Sequence, residues 1–437
     1  MHVTRKRLMH FVLALILSIA GTAAAEELPH GLLPGKPFDG TTLTFLICCP
    51  AAAQFAAWAD SVPDFTELTG INVVFTNDPL TGLREKIITE SIGNPGSWDV
   101  TIYFETWGPS LVNFLQPVED FADTWIPNVD DYPPATIGMA TLDGKLYGLP
   151  ARSHVMMFFY RQDVLDALNL PVPTTWDEVE STAQVIDDSD LGVRGITMNW
   201  AQQGGGISLI PWTNVLRAYG SDIFDEAWRP AFTTDAAIAA TELYQRLLRH
   251  APSGAVTYNE GDMRNSFASG EAAMALAWSW SFEIFQNPEF AVPDVIANTG
   301  YTAAIPGLEA PTQPVAMTWP VGISANSRNP EAALEWVKWM TNPELDAQAV
   351  ASGTTVVANR LGTFFADDTN AAWGGFSRAM GDAFESATPL PIYQEFPEVA
   401  DVLEGALSSI ASGANVRSTL EAAERDVDAI MRRSGRY

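Results

Sequence analysis

Few residues in this 437-residue chain are of types and spacings that do covalent chemistry. The only two cysteines are neighbours, Cys48 and Cys49. Adjacent Cα atoms sit ~3.8 Å apart, closer than the ~4.4–6.8 Å of ordinary bridges. Two forms stay open: a pair of free thiols ending a strand, and a vicinal disulfide shaping a loop. Two Cys without a nearby His match no usual zinc pattern, so no metal is expected. The chain has 5 His, no Gly-x-Ser-x-Gly elbow and no His-Glu-x-x-His. Gly204, Gly205 and Gly206 lack the Lys-Ser/Thr that completes a phosphate loop. No catalytic residue and no cofactor are therefore expected. Acidic residues are abundant, which leaves one enzymatic alternative, a secreted glycosidase with two carboxylates ~5–9.5 Å apart.

Recognition chemistry is better supplied. There are 14 Trp, and an indole offers a flat apolar face with one donor. Sugars present apolar C–H faces and rings of hydroxyls, which call for aromatic planes and multidentate polar groups. Glu105-Thr106-Trp107 follows a predicted strand, and loops after parallel strands carry function. Glu105 reads either as a hydroxyl acceptor or as a solvated strand end. Trp278 and Trp280 share side-chain parity in an extended segment, so one face presents both. Trp212 follows the Gly-rich run, which either admits a ligand or is simply a flexible loop.

The net charge of −29 argues against a nucleic-acid partner and gives no attraction to anionic membranes. It keeps a second binding alternative open, a polyamine or other small solute. A third, an adhesin or scaffold, lacks the usual repeats. Arg5-Lys6-Arg7, the apolar run Leu8–Ala20 and Ala23-Ala24-Ala25 read as a secretory signal peptide over residues 1–25. The run is too short to span a bilayer, and no Cys marks a lipid anchor. A periplasmic monomer is expected.

The elements that position these groups alternate strand and helix. Strands are predicted at Leu43–Ile47, Ile71–Phe75, Asp99–Phe104, Val155–Tyr160 and Ala272–Ala277. A helix carries Phe55, Trp58, Phe65 and Leu68, is expected to kink or split at Pro63, and stops at Gly70. Thr175 and Glu178 form a capping box, Asn329 caps a helix with Pro330 at its first position, and the tail from about Pro397 reads as two amphipathic helices. This grammar predicts an α/β fold with a mostly parallel sheet flanked by helices.

Five phrases in chain order carry a resemblance. They are FTELTGINVVF (Phe65–Phe75), SWDVTIYF (Ser97–Phe104), DGKLYGLPA with FFYRQDVLDALNLPVPTTWDEV (Asp143–Val179), FASGEAAMALAWSW (Phe267–Trp280) and WPVGISANSRNPEAALEWVKWMTNPE (Trp319–Glu344). Together they resemble the extracellular solute-binding proteins of ABC importers, in the group that includes maltose-binding protein. The resemblance implies two α/β lobes with a hinge, a ligand in the interlobe cleft, delivery to a membrane permease, and no catalysis. It implies a first lobe of 26–150 plus 301–345 and a second of 151–300 plus 346–437. Trp280 matches the ligand-facing Trp that ends the family's Gly-x-Ala-Ala-Met strand. Trp212 falls near an aromatic of the family, and Trp319 near an aromatic at the cleft floor. The same resemblance sets Arg152 and His154 beside the first crossing. It sets Gln54 and the Cys48-Cys49 pair on a cleft-facing loop, and Arg360 after the third crossing.

Overall fold

The computed structural model describes residues 28–50, 52–302, 307 and 313–437; the predicted signal peptide lies outside them. β1 (Thr42–Ile47) buries Leu43, Phe45, Leu46 and Ile47 and leads to α1 (Ala53–Thr69). Of the two expected outcomes at Pro63, a split does not occur: α1 runs unbroken from Ala53 to Thr69. The missing N–H of Pro63 leaves the Ala59 carbonyl without its helical partner, at an exposed stretch of the helix where the loss is least costly. Gly70 ends the helix at φ 75°, its N–H bonding the Thr66 carbonyl at 2.8 Å.

β2 (Asn72–Asn77), α2 (Leu80–Gly93), β3 (Val100–Ile102) and β4 (Leu115–Gln116) follow. Beyond them come β5 (Leu149–Arg161), β6 (Arg194–Thr197), β7 (Ala272–Trp278), β8 (Thr299–Thr302) and β9 (Ala316–Ser324). The main sheet runs β2-β1-β3-β9-β5-β7-β6, with β8 on β5 and β4 on β9. β1 lies parallel to β2 and β3, and β6 parallel to β7, as the alternating grammar requires. β5 and β9 run antiparallel to each other and to their other neighbours, because both are crossings between lobes rather than βα repeats.

β5 is the shared strand of this two-lobed fold. Leu149–Val155 pairs with β9, Met156–Tyr160 with β7, and Phe158–Arg161 with β8. Pro320 interrupts β9 with a register shift after Trp319, as a residue without an N–H does in a ladder.

Helices cover both faces: α3 (Trp176–Asp187), α4 (Leu209–Ala218), α5 (Asp235–Leu247), α6 (Glu260–Ala268), α7 (Ser281–Phe285), α8 (Pro330–Met340), α9 (Phe396–Ala411) and α10 (Val416–Arg433). The Thr175–Glu178 capping box forms, with reciprocal bonds of 3.2 Å. Asn329 makes no cap bond; at φ −134° and ψ 51° it lacks the extended backbone that aims a cap at the first turn. The two predicted tail helices are α9 and α10, and they pack on each other and on α4 and α5. α8 packs on β9 and α1. Its buried Glu335–Lys338 pair (2.6 Å) accepts the Leu33 N–H at 2.7 Å and donates to the Gly31 carbonyl at 3.1 Å. A charge pair is tolerated in a core when its remaining bonds are filled in this way.

Candidate functional site

Where β5 passes between the lobes, a cavity of about 800 Å³ opens, within the ~300–1,000 Å³ of small-ligand sites. It is lined by the ends of β1, β3 and β7, the start of α1, and the middle of β5 and β9. Parallel strand ends and the turns after them converge there, the place where α/β sheets leave side chains unclaimed by the core.

Arg152 and His154 come from β5 and point into the cleft. The Arg152 guanidinium lies 5.4 Å from the Phe55 ring, 5.6 Å from Trp280 and 5.2 Å from Trp319. Its Nε has no hydrogen-bond partner, although the residue is 8% exposed. His154 sits 6.4 Å from both Trp278 and Trp280, with both ring nitrogens unpartnered. Burial, then the Arg152 charge, hold His154 well below the usual imidazole range, so it is neutral.

From the first-lobe side, Gln54 donates to the Ala151 carbonyl at 2.7 Å and leaves its Oε1 unpartnered. Glu105 lies in the short turn after β3 and leaves Oε2 unpartnered. Burial pushes its carboxyl up to about 8, against backbone hydrogen bonds from Glu105 itself and Thr318 that oppose the rise. At neutral pH it holds its proton. Trp319 packs at 4.2 Å on Phe104, and its Nε1 has no partner.

The second-lobe side carries Trp278 at the end of β7 and Trp280 two residues on. Both line the cleft, yet not by strand parity. The strand ends at Trp278, and Trp280 has helical dihedrals at the entrance to α7. Arg264 lies 4.0 Å from the Trp280 ring centroid and is tied to Glu260 at 2.6 Å. Glu283 accepts from the Val356 N–H at 2.8 Å and from the Thr355 hydroxyl, and burial raises its carboxyl. Gly205 and Gly206, at φ 69° and 86°, bring bare backbone to the rim. Cys49 also lines the wall, with Cys48 buried behind it.

Three named candidates stand elsewhere. Trp212 is fully buried on α4, its Nε1 donating to Thr241 Oγ1 at 2.9 Å. The amphipathic phase of α4 turns it into the core rather than toward the glycines before it. Trp107 lies outside the cleft lining, edge-on to Phe104 at 4.9 Å. Arg360 is spent on protein partners: Asp131 at 3.2 Å, the Thr341 carbonyl at 3.0 Å through Nε, and the Tyr132 ring at 4.3 Å. Conversely, Glu260, Arg264 and Glu283 line the cleft without having been singled out. The i, i+4 spacing of Glu260 and Arg264 behind Asn259 was the one local signal for the first two.

Two α/β lobes sharing a crossing strand, with a ligand-sized cleft at the crossing, are the build of a solute receptor. Residues 51–347 match the model of the bacterial extracellular solute-binding protein family, and the chain belongs to that family. It is 26% identical over 336 residues to a probable amino-acid ABC transporter periplasmic-binding protein of Sinorhizobium fredii, covering 74% of this chain and 72% of the relative. It is 25% identical over 269 residues to a mannitol-binding protein of Pseudomonas aeruginosa, covering 60% of each. Among solved structures, a ribitol complex of a solute-binding protein from Agrobacterium radiobacter superposes with TM-score 0.80 at 23% identity, over 90% of this chain and 100% of that one. Maltose-bound MalE3 of T. maritima gives TM-score 0.80 at 19% identity, over 89% and 100%. At these identities the superpositions establish the fold. Among the described residues no helix is long and apolar enough to cross a membrane.

Proposed function

We propose that the chain is a periplasmic receptor for a small polyhydroxylated solute, a sugar, an oligosaccharide or a sugar alcohol, which it hands to the permease of an ABC importer. It acts as a monomer by capture and hinge closure, without chemistry of its own. The observation that carries this reading is a clustering. Unpartnered polar atoms of Gln54, Glu105, Arg152, His154 and Trp319 share one cleft with the rings of Trp278, Trp280 and Trp319. Buried polar atoms without partners are costly, and a ring of hydroxyls laid between indole planes satisfies donors and acceptors together. The named ligands of the relatives and structural neighbours, mannitol, ribitol and maltose, belong to that chemical class.

A polyamine fits less well. Two guanidinium groups line the cleft, and Glu105 is protonated near neutral pH. An amino acid is the second reading. The Sinorhizobium fredii relative's name favours it, and Arg152 offers its carboxylate a partner.

The lobes in this reading are 26–150 plus 301–345 and 151–300 plus 346–437. The pairing of β8 with the far half of β5 and the Thr175–Gly307 bridge favour a return crossing later than residue 301, through β9. Calorimetry and thermal shift with D-mannitol, ribitol, maltose, L-amino acids and spermidine test the proposal. Tight binding confined to the first three supports it. Binding confined to amino acids or spermidine overturns it.

A further inference from the structure

The cysteine pair is not used by the reading above. β1 delivers Cys48 into the core and Cys49 onto the cleft wall, at the turn before α1. The two Sγ atoms are in contact at 2.7 Å. Cys49 has φ 56°, a left-handed conformation that a residue with a Cβ seldom adopts. That conformation turns two neighbouring side chains, which in a strand would point to opposite faces, toward each other. The family is extracellular, so the pair meets an environment in which thiols are oxidised.

We propose that Cys48 and Cys49 are a modification site, closing as a disulfide between neighbouring residues into an uncharged carbon–sulfur ledge on the cleft wall. Cys49 is the sulfur reached from the cleft, and the contact with Cys48, together with the charge of Arg152, favours its thiolate. The oxidant is an exchange partner carrying its own disulfide. The Cys49 thiolate attacks one sulfur of that disulfide and expels the other as a thiolate. The Cys48 thiolate then attacks Cys49 Sγ and releases the second. Two protons leave the pair, two electrons pass to the partner, and the partner departs as a dithiol. Closure removes a nucleophile that would otherwise stand beside Arg152 in the ligand's path.

The full chain, exported by a bacterial host and quenched in acid, is denatured and treated with N-ethylmaleimide before intact mass measurement. The expected product carries no adduct, is two hydrogens lighter than the dithiol, and takes up two adducts only after reduction. Two adducts without prior reduction, or a disulfide-linked dimer, overturn the bridge. The route through the cleft has its own readout in single variants. In folded Cys48→Ala, Cys49 is expected to alkylate about tenfold faster or more than Cys48 does in folded Cys49→Ser. Equal rates overturn the assignment of Cys49 as the entry sulfur. Neither measurement depends on the solute, so both stand apart from the receptor reading.

Discussion

Arg152 and Arg360 are buried to the same degree, 8% and 5% exposed, and the sequence nominates both as ligand contacts. Their surroundings differ in kind. Arg360 is saturated by a carboxylate, a backbone carbonyl and a tyrosine face, and so locks the 353–360 segment against Asp131 and Thr341. Arg152 is ringed by three aromatic faces, and its Nε bonds to nothing. Burial alone therefore does not mark a binding group. What separates the two is whether the protein itself has used up the donors.

The largest effect tests the saturated side. Arg360→Met strips the half-buried Asp131 carboxylate and the buried Thr341 carbonyl of their partner and is expected to lower unfolding stability by about 3 kcal/mol, read by denaturant titration. Ligand affinity of the folded fraction should not change; a large affinity loss at full stability would erase the distinction between the two arginines. Arg152→Met, by the same logic, keeps stability within about 1 kcal/mol and weakens solute binding by about 2–3 kcal/mol in calorimetry. Should Arg152→Met unfold the protein while sparing affinity, the roles assigned here are reversed.

Trp280→Ala removes one plane from the same cage and is expected to cost about 1–3 kcal/mol of binding. Unchanged affinity with an intact fold takes Trp280 out of the site. The last test concerns Glu105, the other unsaturated group, through the pH dependence of stability. Its carboxyl is raised in the folded state, so folding favours the protonated form. That contribution is complete below the ordinary carboxylate range and is lost as pH rises through about 8. Glu105→Gln should flatten the decline in stability between about pH 4.5 and about pH 8. A slope identical to that of the natural chain would mean that Glu105 titrates normally.

Much of the architecture was legible because its signals are local. Gly70 after an apolar helix, the Thr175–Glu178 box and the Ala272–Ala277 run each specify their own few residues. The antiparallel crossings were not legible, since the pairing of Trp319 with Arg152 joins segments far apart in the chain. The site divided the same way. Residues at strand ends or in the turns and helix starts that follow them, Gln54, Glu105, Trp278 and Trp280, do line the cleft. Trp212 does not, because helix phase outweighs a neighbouring glycine loop. Glu260, Arg264 and Glu283 escaped notice because tertiary packing alone carries α6 and α7 to the rim.

The insertion of β9 between β3 and β5 has a consequence for synthesis. No ribosome can deliver a finished first lobe until Ser324 has emerged, because until then its sheet has a gap where a central strand belongs. Contacts that span so much sequence also form slowly. Continuity of the sheet is thus tied to the last third of the chain, which joins the β2-β1-β3 half to the β5-β7-β6 half.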